Sequence, residues 1–599
     1  MPPRRMNIHD NRTFERRKVD KKFVLKHLFS YLKPYIPVLI PVFFANVAGT
    51  VSNLVGPWLC GLAIDQIRLD GSTNFALIGV YSGILVSLYA LSALLEYLSA
   101  IGMAYVCRGM VKRMRTDVFR HLSTLPVGYF DARQAGDIIS VLSYDIDTVG
   151  ESLANDVIIV LKSVVMIIGS LVMMLTIAPL LVLVFVVTVP LSVFMTRFIV
   201  KRVQPLFRRR SARLGELNGY VEEITTGQKT TRAYNCEEKV IADFEVKNAQ
   251  AIDAYSKAEY YGTISGPCVN LVNNLSLTLV SVFGALLYMG AVGGLSPGQI
   301  SSFVLYSRKF SGPINEIANI TGEFQSAIAA AERVFRVLEE APEPADPDGA
   351  EELAAVRGDV DIEHIKFGYV SDKTIINDFS LSVKSGQVVA IVGHTGAGKT
   401  TVINLLMRFY DADDGTIKID GKDIKNLTRS SVRSAFTMVL QDTWLFAGTV
   451  YENIAYGNKD VSREDVIRVC KAAKIHSFIS KLPQGYDTVL NDNAVNISKG
   501  QKQLLTIARA MLLDSPLLIL DEATSNVDTR TEQIIQEAMS NLIKGRTCFI
   551  IAHRLSTIKH ADKILVMRGG DVVEQGTHDS LMAQGGYYSQ LYYSQFETA

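Results

Sequence analysis

Charge of one sign is what this chain lacks. Its 61 Lys+Arg stand against 60 Asp+Glu, a formal net of +1, so no global field argues for nucleic acid or for an acidic partner. Charge of either sign is sparse as well. Only 20% of the 599 residues are Asp, Glu, Lys or Arg, below the roughly 25% usual in soluble domains, and mean hydropathy is +0.20. That excludes a disordered chain and speaks against a wholly soluble one. Cysteine is scarce too: Cys60, Cys107, Cys236, Cys268, Cys470 and Cys548 lie far apart with no CxxC spacing. Neither a disulfide scaffold nor a zinc site is indicated, and a reducing compartment suits them. There is no long internal repeat. No short apolar run with a small-residue cleavage site follows the basic amino-terminal arm, so no cleavable signal is expected.

What is abundant is apolar sequence, concentrated in the first half. A helix needs about 20 apolar residues to cross a bilayer core. Six stretches qualify: 35–59, 75–100, 157–177, 180–200, 268–289 and, interrupted by Arg308, Lys309 and Glu316, 300–320. The last also reads as an amphipathic cytosolic helix. The loop after span one carries a single basic residue, Arg68, and the loop 290–299 none. Arg108, Lys112, Arg113, Arg115, Arg120 and Arg133 follow span two. Arg197, Lys201, Arg202, Arg208, Arg209, Arg210 and Arg213 follow span four, and the arm adds Arg4, Arg5, Arg12, Arg16 and Arg17. The positive-inside rule then puts both termini and both long loops in the cytoplasm of a multi-pass protein, with the plasma membrane the expected location. Residues 23–35 alternate lysine and apolar residues at helical spacing, an interfacial helix leading into span one.

The segments ahead of spans three and five are rich in helix formers, so the spans are expected to continue as helices below the membrane, with tips near 128–136 and 215–236. Candidate substrate contacts are few. Asn270, Asn273 and Asn274 share a face of span five, either lining a cavity or gluing helices. Phe303, Tyr306 and Phe310 form an aromatic stripe on span six that suits either core packing or an amphiphile. Glu96 is an intramembrane acid or an interfacial one, and Lys162 is expected to snorkel to the inner headgroups. None of these names a ligand.

At Ala341 the composition changes to APEPADPDGAEE, a solvated linker. The division is a transmembrane domain over 1–340, the linker over 341–352 and a soluble domain over 353–599. In the last, β-branched runs alternate with helical stretches, an α/β pattern. Val388–Val392 reads as a buried strand. It leads into Gly393, His394, Thr395, Gly396, Ala397, Gly398, Lys399 and Thr400, with Thr401 next, and then a helix-compatible run. This strand–loop–helix context is that of a phosphate-binding loop. The glycines let backbone N–H groups close on phosphates at a helix amino terminus. Lys399 would reach the β/γ-phosphates and the Thr400 hydroxyl would ligate Mg²⁺. A second strand run, 517–520, ends in Asp521 and Glu522: the first to support Mg²⁺, the second to accept from an attacking water.

With these pieces in place the chain resembles a half-size ABC exporter, the multidrug-exporter-like type IV class, over essentially residues 20–596. Its most specific mark is the run Asn496 to Gln501 ahead of the IARAM helix, matching the family signature LSGGQ. The resemblance implies a multidomain membrane protein, an all-α six-helix transmembrane domain plus an α/β P-loop ABC ATPase domain. It also implies ATP hydrolysis with Mg²⁺. Tyr369 then matches the residue that stacks on adenine. Gln441 matches the glutamine that links Mg²⁺ and water to the membrane domain, and Asp528, in the run from Ser525, matches the loop that contacts the partner. His553 matches the switch histidine at the γ-phosphate. Ser498, Gly500 and Gln501 would contact nucleotide held by a second ABC half-transporter. Lys499 replaces a family glycine and 490–494 departs from the family pattern, which favours a heterodimer over a homodimer. The implied activity is ATP-driven efflux of hydrophobic or amphiphilic, drug-like compounds by alternating access, in contact with membrane lipid. Lipid or peptide export, or an ATP-gated channel or regulatory subunit, is the alternative.

Overall fold

The structure, a computed structural model, describes residues 21–67, 73–290, 295–370, 373–441, 443–458, 460–490, 497–521, 529–551 and 558–596. It divides into two compact units: Lys18–Ser123 with Gly136–Glu339, and Glu340–Ala599 with Thr124–Ala135.

The first unit is helical. Its elements are α1 (Lys21–Leu32), α2 (Ile36–Ile64) and α3 (Phe75–Leu122). In chain order, α4 (Val127–Asp131) falls in the other unit. The first unit resumes with α5 (Ala135–Ser140), α6 (Ile146–Ile177), α7 (Pro179–Thr226), α8 (Gln228–Ala233), α9 (Glu237–Thr263), α10 (Ser265–Met289) and α11 (Pro297–Glu339). Among the described residues five helices are long and apolar enough to cross a membrane. Expected spans one to five all fall within them. At 1.5 Å per residue α3 and α7 are each about 72 Å long, roughly twice a bilayer core, so they do run on past it. Helix α7 continues through Thr226, which narrows the second expected tip to the turn around Gly227–Cys236.

Helix α11 is too charged to count as a span on composition, yet it belongs to the same bundle. The Ser302 and Tyr306 hydroxyls donate to the carbonyls of Pro57 (2.8 Å) and Leu54 (2.6 Å) on α2. At the far end of α2, Asp65 accepts from the Ser296 hydroxyl (2.6 Å) and the Gly298 N–H (2.8 Å). The aromatic stripe of α11 is core: Phe303 and Tyr306 are fully buried and Phe310 nearly so, with Phe185 of α7 5.4 Å from the Phe310 ring. Asn273 lines a cavity of about 10 Å³ with Thr188, Ser276 and Ser311, while Asn270 and Asn274 are exposed. Lys162 and Glu96 are not isolated charges. The two form an ion pair at 2.9 Å between α6 and α3, because each is the charge the other needs in an apolar surround. Helix α1 docks on α11 through Phe335, which is fully buried beneath Phe23, His27 and Tyr31.

In the second unit the strands are β1 (Val360–Phe367), β2 (Ile376–Val383), β3 (Val388–Val392), β4 (Asp414–Ile419), β5 (Lys422–Asp423) and β6 (Phe436–Val439). They continue with β7 (Gly448–Thr449), β8 (Val489–Leu490), β9 (Leu517–Asp521), β10 (Thr547–Ile551), β11 (Lys563–Arg568) and β12 (Asp571–Gly576). Ten of them make one sheet, ordered β5-β4-β1-β2-β12-β11-β3-β10-β9-β6. The run β11-β3-β10-β9-β6 is parallel. Its strands are almost wholly apolar because both faces are covered, one by the cluster with Leu504 and Ile535, the other by the cluster with Val402 and Leu406.

The expected solvated linker is exposed but not free. Glu343 pairs with Arg433 (3.0 Å), Pro344 O accepts from Arg429 (3.3 Å), and Asp346 accepts from the Arg429 N–H (3.0 Å). Two arginines far along the chain hold what local composition alone marks as loose. The segment Thr124–Ala135 is fixed in the same unit. Thr124 O accepts from the Glu343 N–H (2.8 Å), Arg133 stacks over Tyr129 and pairs with Glu340 (2.6 Å), and Asp131 accepts from the Tyr410 hydroxyl (2.6 Å).

Candidate functional site

The parallel strands all deliver their following loops to one edge, so β3, β10, β9 and β6 bring distant residues to a common rim, the usual ligand position in an open α/β sheet. The loop after β3 is built by its glycines. Gly393 has φ 154°, and a Cβ there would stand 2.3 Å from the Met567 carbonyl oxygen on β11. Gly396 is left-handed (φ 83°) with open space around it. Helix α12 (Lys399–Leu406) then starts behind Gly398, with no side chain capping its first turn. Its leading N–H groups and positive dipole end are left for an anion.

Lys399 is buried, and its ammonium donates to the carbonyls of Gly393 (2.8 Å) and His394 (3.0 Å). Burial pushes its pKa below the ordinary lysine value, and the negative charge of Asp521, at the end of β9, opposes that shift. A cation held, among the described residues, by its own loop's carbonyls, beside a carboxylate and at a helix amino terminus with no side-chain cap, matches a triphosphate with a divalent ion in charge and donors. Thr400 is exposed on the same turn and Gln441 is exposed just past β6, both available with Asp521 to hold Mg²⁺.

Tyr369 follows β1 and reaches this loop's helix. Its hydroxyl donates to Thr401 Oγ1 (3.3 Å) and accepts from Asn404 (3.1 Å). Phe367 and Tyr410 each pack edge-on to its ring with centroids 5.0 Å away. Asn404 and Tyr410 were not legible as parts of this site. Tyr410 carries no local signal, and only the fold sets it beside Tyr369. Burial and Asp131 raise the Tyr410 pKa well above the ordinary tyrosine value, so its hydroxyl stays a donor.

Ser498, Gly500 and Gln501 are gathered at another helix end. The Ser498 hydroxyl accepts from the Gln501 N–H (3.2 Å) while Gln501 Oε1 accepts from the Ser498 N–H (3.0 Å), a capping box on the helix Lys499–Leu513. None of the three hydrogen-bonds to Gly393–Thr401 among the described residues. Lys499, first in that helix, has ordinary helical backbone and an exposed side chain. Glu522, Asp528 and His553 lie outside the described residues.

Two family models match: ABC transporter transmembrane region over residues 39–314 and ABC transporter over residues 376–525. The chain belongs to the ABC transporters. It is 43% identical over 581 residues to an uncharacterized ABC transporter ATP-binding protein, YfiC, of Bacillus subtilis, covering 96% of this chain and 95% of that one. A fatty acid ABC transporter ATP-binding/permease protein of Mycobacterium bovis is 41% identical, over 86% of this chain and 82% of its own. An ATP-dependent lipid A-core flippase of Legionella pneumophila is 33% identical, over 96% and 97%. Among solved structures, a bacterial Atm1-family ABC exporter with ATP bound superposes with a TM-score of 0.74 at 30% identity, covering 94% of this chain and 98% of that one. This ABC exporter is thus a half-size one, a helical transmembrane domain followed by an α/β ATPase domain, and it couples ATP hydrolysis to transport.

Proposed function

We propose that this exporter moves hydrophobic or amphiphilic compounds across the plasma membrane by alternating access, as one of two subunits, with both termini cytoplasmic. The observation that carries the reading is the phosphate cradle itself: a buried Lys399 on loop carbonyls beside Asp521, in a chain whose other half is apolar helix. Drug-like molecules are one substrate class. The names of two relatives, a fatty acid transporter and a lipid A-core flippase, give lipid-like amphiphiles greater weight.

In this reading Lys399 neutralises the β/γ-phosphates, and Thr400, Gln441 and Asp521 hold Mg²⁺. Tyr369 stacks on adenine, Glu522 orients the attacking water and His553 touches the γ-phosphate. The backbone of Gly393–Thr401 supplies N–H donors, and Ser498, Gly500, Gln501 and Asp528 serve nucleotide shared with the partner. ATP would supply a β–γ phosphoanhydride bond that water cleaves to ADP and inorganic phosphate, and departure of that phosphate removes the γ charge through which the two ATPase domains would be held together. Work of this kind rests on positioning and charge stabilisation.

Glu522→Gln is expected to stop steady hydrolysis while leaving ATP binding intact, and vesicles should concentrate a hydrophobic dye only with the wild-type chain. Normal turnover in the variant overturns the assignment. Hydrolysis-independent dye equilibration favours the channel reading instead. For the partner, Lys499 and the divergent 490–494 favour a heterodimer, and two copies of one chain are the alternative. Robust ATPase activity of the chain purified alone decides for the homodimer.

A further inference from the structure

Two adjacent cations sit where a membrane helix should have none. Arg308 and Lys309 lie about 18 Å along α11 from Pro297, near the middle of a bilayer-spanning stretch. Their depth is set by contacts: Lys309 reaches the carbonyl (3.1 Å) and side-chain oxygen of Asn53, mid-way along α2, one turn of α11 beyond the Tyr306–Leu54 bond. Arg308, on the adjoining face, is exposed, with no hydrogen-bond or ion-pair partner among the described residues. A lipid-facing arginine at that depth costs about 2.5–3.5 kcal/mol even on the mildest scale, which favours a position turned to the bundle interior or to water over one turned to lipid.

The nearby charges do not balance these two. Glu96 is within electrostatic reach of Lys309, but it is paired to Lys162 at 2.9 Å. Glu316, two turns further along α11, accepts from Ser163 (3.2 Å) and makes no ion pair among the described residues. Around Asn53 the sum over Glu96, Lys162, Arg308 and Lys309 is positive. An ammonium has three N–H donors and Asn53 takes two of them, while the five donors of the Arg308 guanidinium are all unbonded within the described chain.

We propose that Arg308 and Lys309, with Asn53 orienting the lysine, form an anionic-headgroup site of the transport path, taking the carboxylate or phosphate of a long-chain amphiphile. This rests on the reading of the chain as an amphiphile exporter and names the head that such a cargo carries. A guanidinium gives forked, charge-assisted bonds to a carboxylate or phosphate, and an ammonium on the adjoining face adds a further donor for a second headgroup oxygen. The surrounding apolar helices take the chain.

The test uses the full-length exporter in proteoliposomes, reading stimulated ATPase activity and export. The probes are a long-chain carboxylate, a lyso-phosphatidic acid of equal chain length, the matched long-chain alcohol, acetate and inorganic phosphate. In the double variant Arg308→Gln/Lys309→Gln, the concentration of carboxylate or phosphate amphiphile giving half-maximal stimulation rises about tenfold or more, while that of the alcohol changes less than about twofold. Arg308→Lys/Lys309→Arg stays near wild type. Whichever acid shifts more is the preferred headgroup. Equal shifts for acid and alcohol, or none, overturn the proposal, as does stimulation of the wild type by acetate or inorganic phosphate alone. A wild type stimulated by neither acid nor alcohol overturns instead the amphiphile reading beneath it.

Discussion

The phosphate loop offers a sharp test through two of its glycines. In Gly396→Ala the new methyl group meets nothing within 4 Å, so the cost is the left-handed backbone alone, about 1–2 kcal/mol. That converts to about 5–30-fold weaker nucleotide binding if the loop relaxes away from its binding shape. In Gly393→Ala the backbone (φ 154°) is again one that side chains avoid, about 1–3 kcal/mol. Here the methyl group also falls 2.3 Å from the Met567 carbonyl oxygen. That atom cannot swing aside, because β11 is paired to β3 on one side and to β12 on the other. Overpacking of this kind adds about 1–3 kcal/mol. The two terms together, about 2–6 kcal/mol, predict at least about 30-fold weaker binding, or a lowered melting temperature of the ATPase domain if the strain spreads into the sheet. The assay is titration of detergent-solubilised protein with a fluorescent ATP analogue, with thermal unfolding recorded on the same samples. If Gly393→Ala matches Gly396→Ala in affinity and melts like wild type, the steric reasoning is wrong.

Two further outcomes are expected. Burial pushes the Cys470 and Cys548 thiols up to about 12, so a maleimide at pH 8 should reach them only at the rate of unfolding, while Cys236 labels in the native state. The stability this protection contributes is fully present below the ordinary thiol pKa of about 8.5 and is lost as pH climbs towards 12; native-state labelling of either residue contradicts it. Phe335→Ala removes the ring under Phe23, His27 and Tyr31, and a Phe-to-Ala change at a fully buried site costs about 3–5 kcal/mol. Trypsin should then cut at Lys22 or Lys26 faster than in wild type, and equal rates would show that α1 is held by something else.

Local patterns carried much of the architecture. The apolar runs announced the long helices, and a buried strand running into Gly393–Thr400 announced the cradle, because short-range chemistry dictates both. What escaped were pairings between residues far apart in sequence. Glu96 and Lys162 each look like an isolated charge until α3 and α6 lie together. The stretch 341–352 looks loose until Arg429 and Arg433 arrive from nearly ninety positions later. Tyr410 looks like any core tyrosine until β1 and the end of α12 set it between Tyr369 and Asp131. Helix α11 was the hardest to read, since Arg308, Lys309 and Glu316 break its apolar pattern. Its place in the bundle is fixed by hydroxyl-to-carbonyl bonds that hydropathy does not register.

The ammonium of Lys399, moored to the Gly393 and His394 carbonyls, has a kinetic consequence. The loop's curvature is tied by its own lysine, so a triphosphate bound there as proposed would find little chain ordering left to do. Entry becomes an exchange, in which two neutral acceptors surrender the lysine to an anionic one. The exchange runs forward because a charged acceptor holds an ammonium more tightly than a peptide oxygen does. In that reading the same side chain would return to the two carbonyls once the anion leaves.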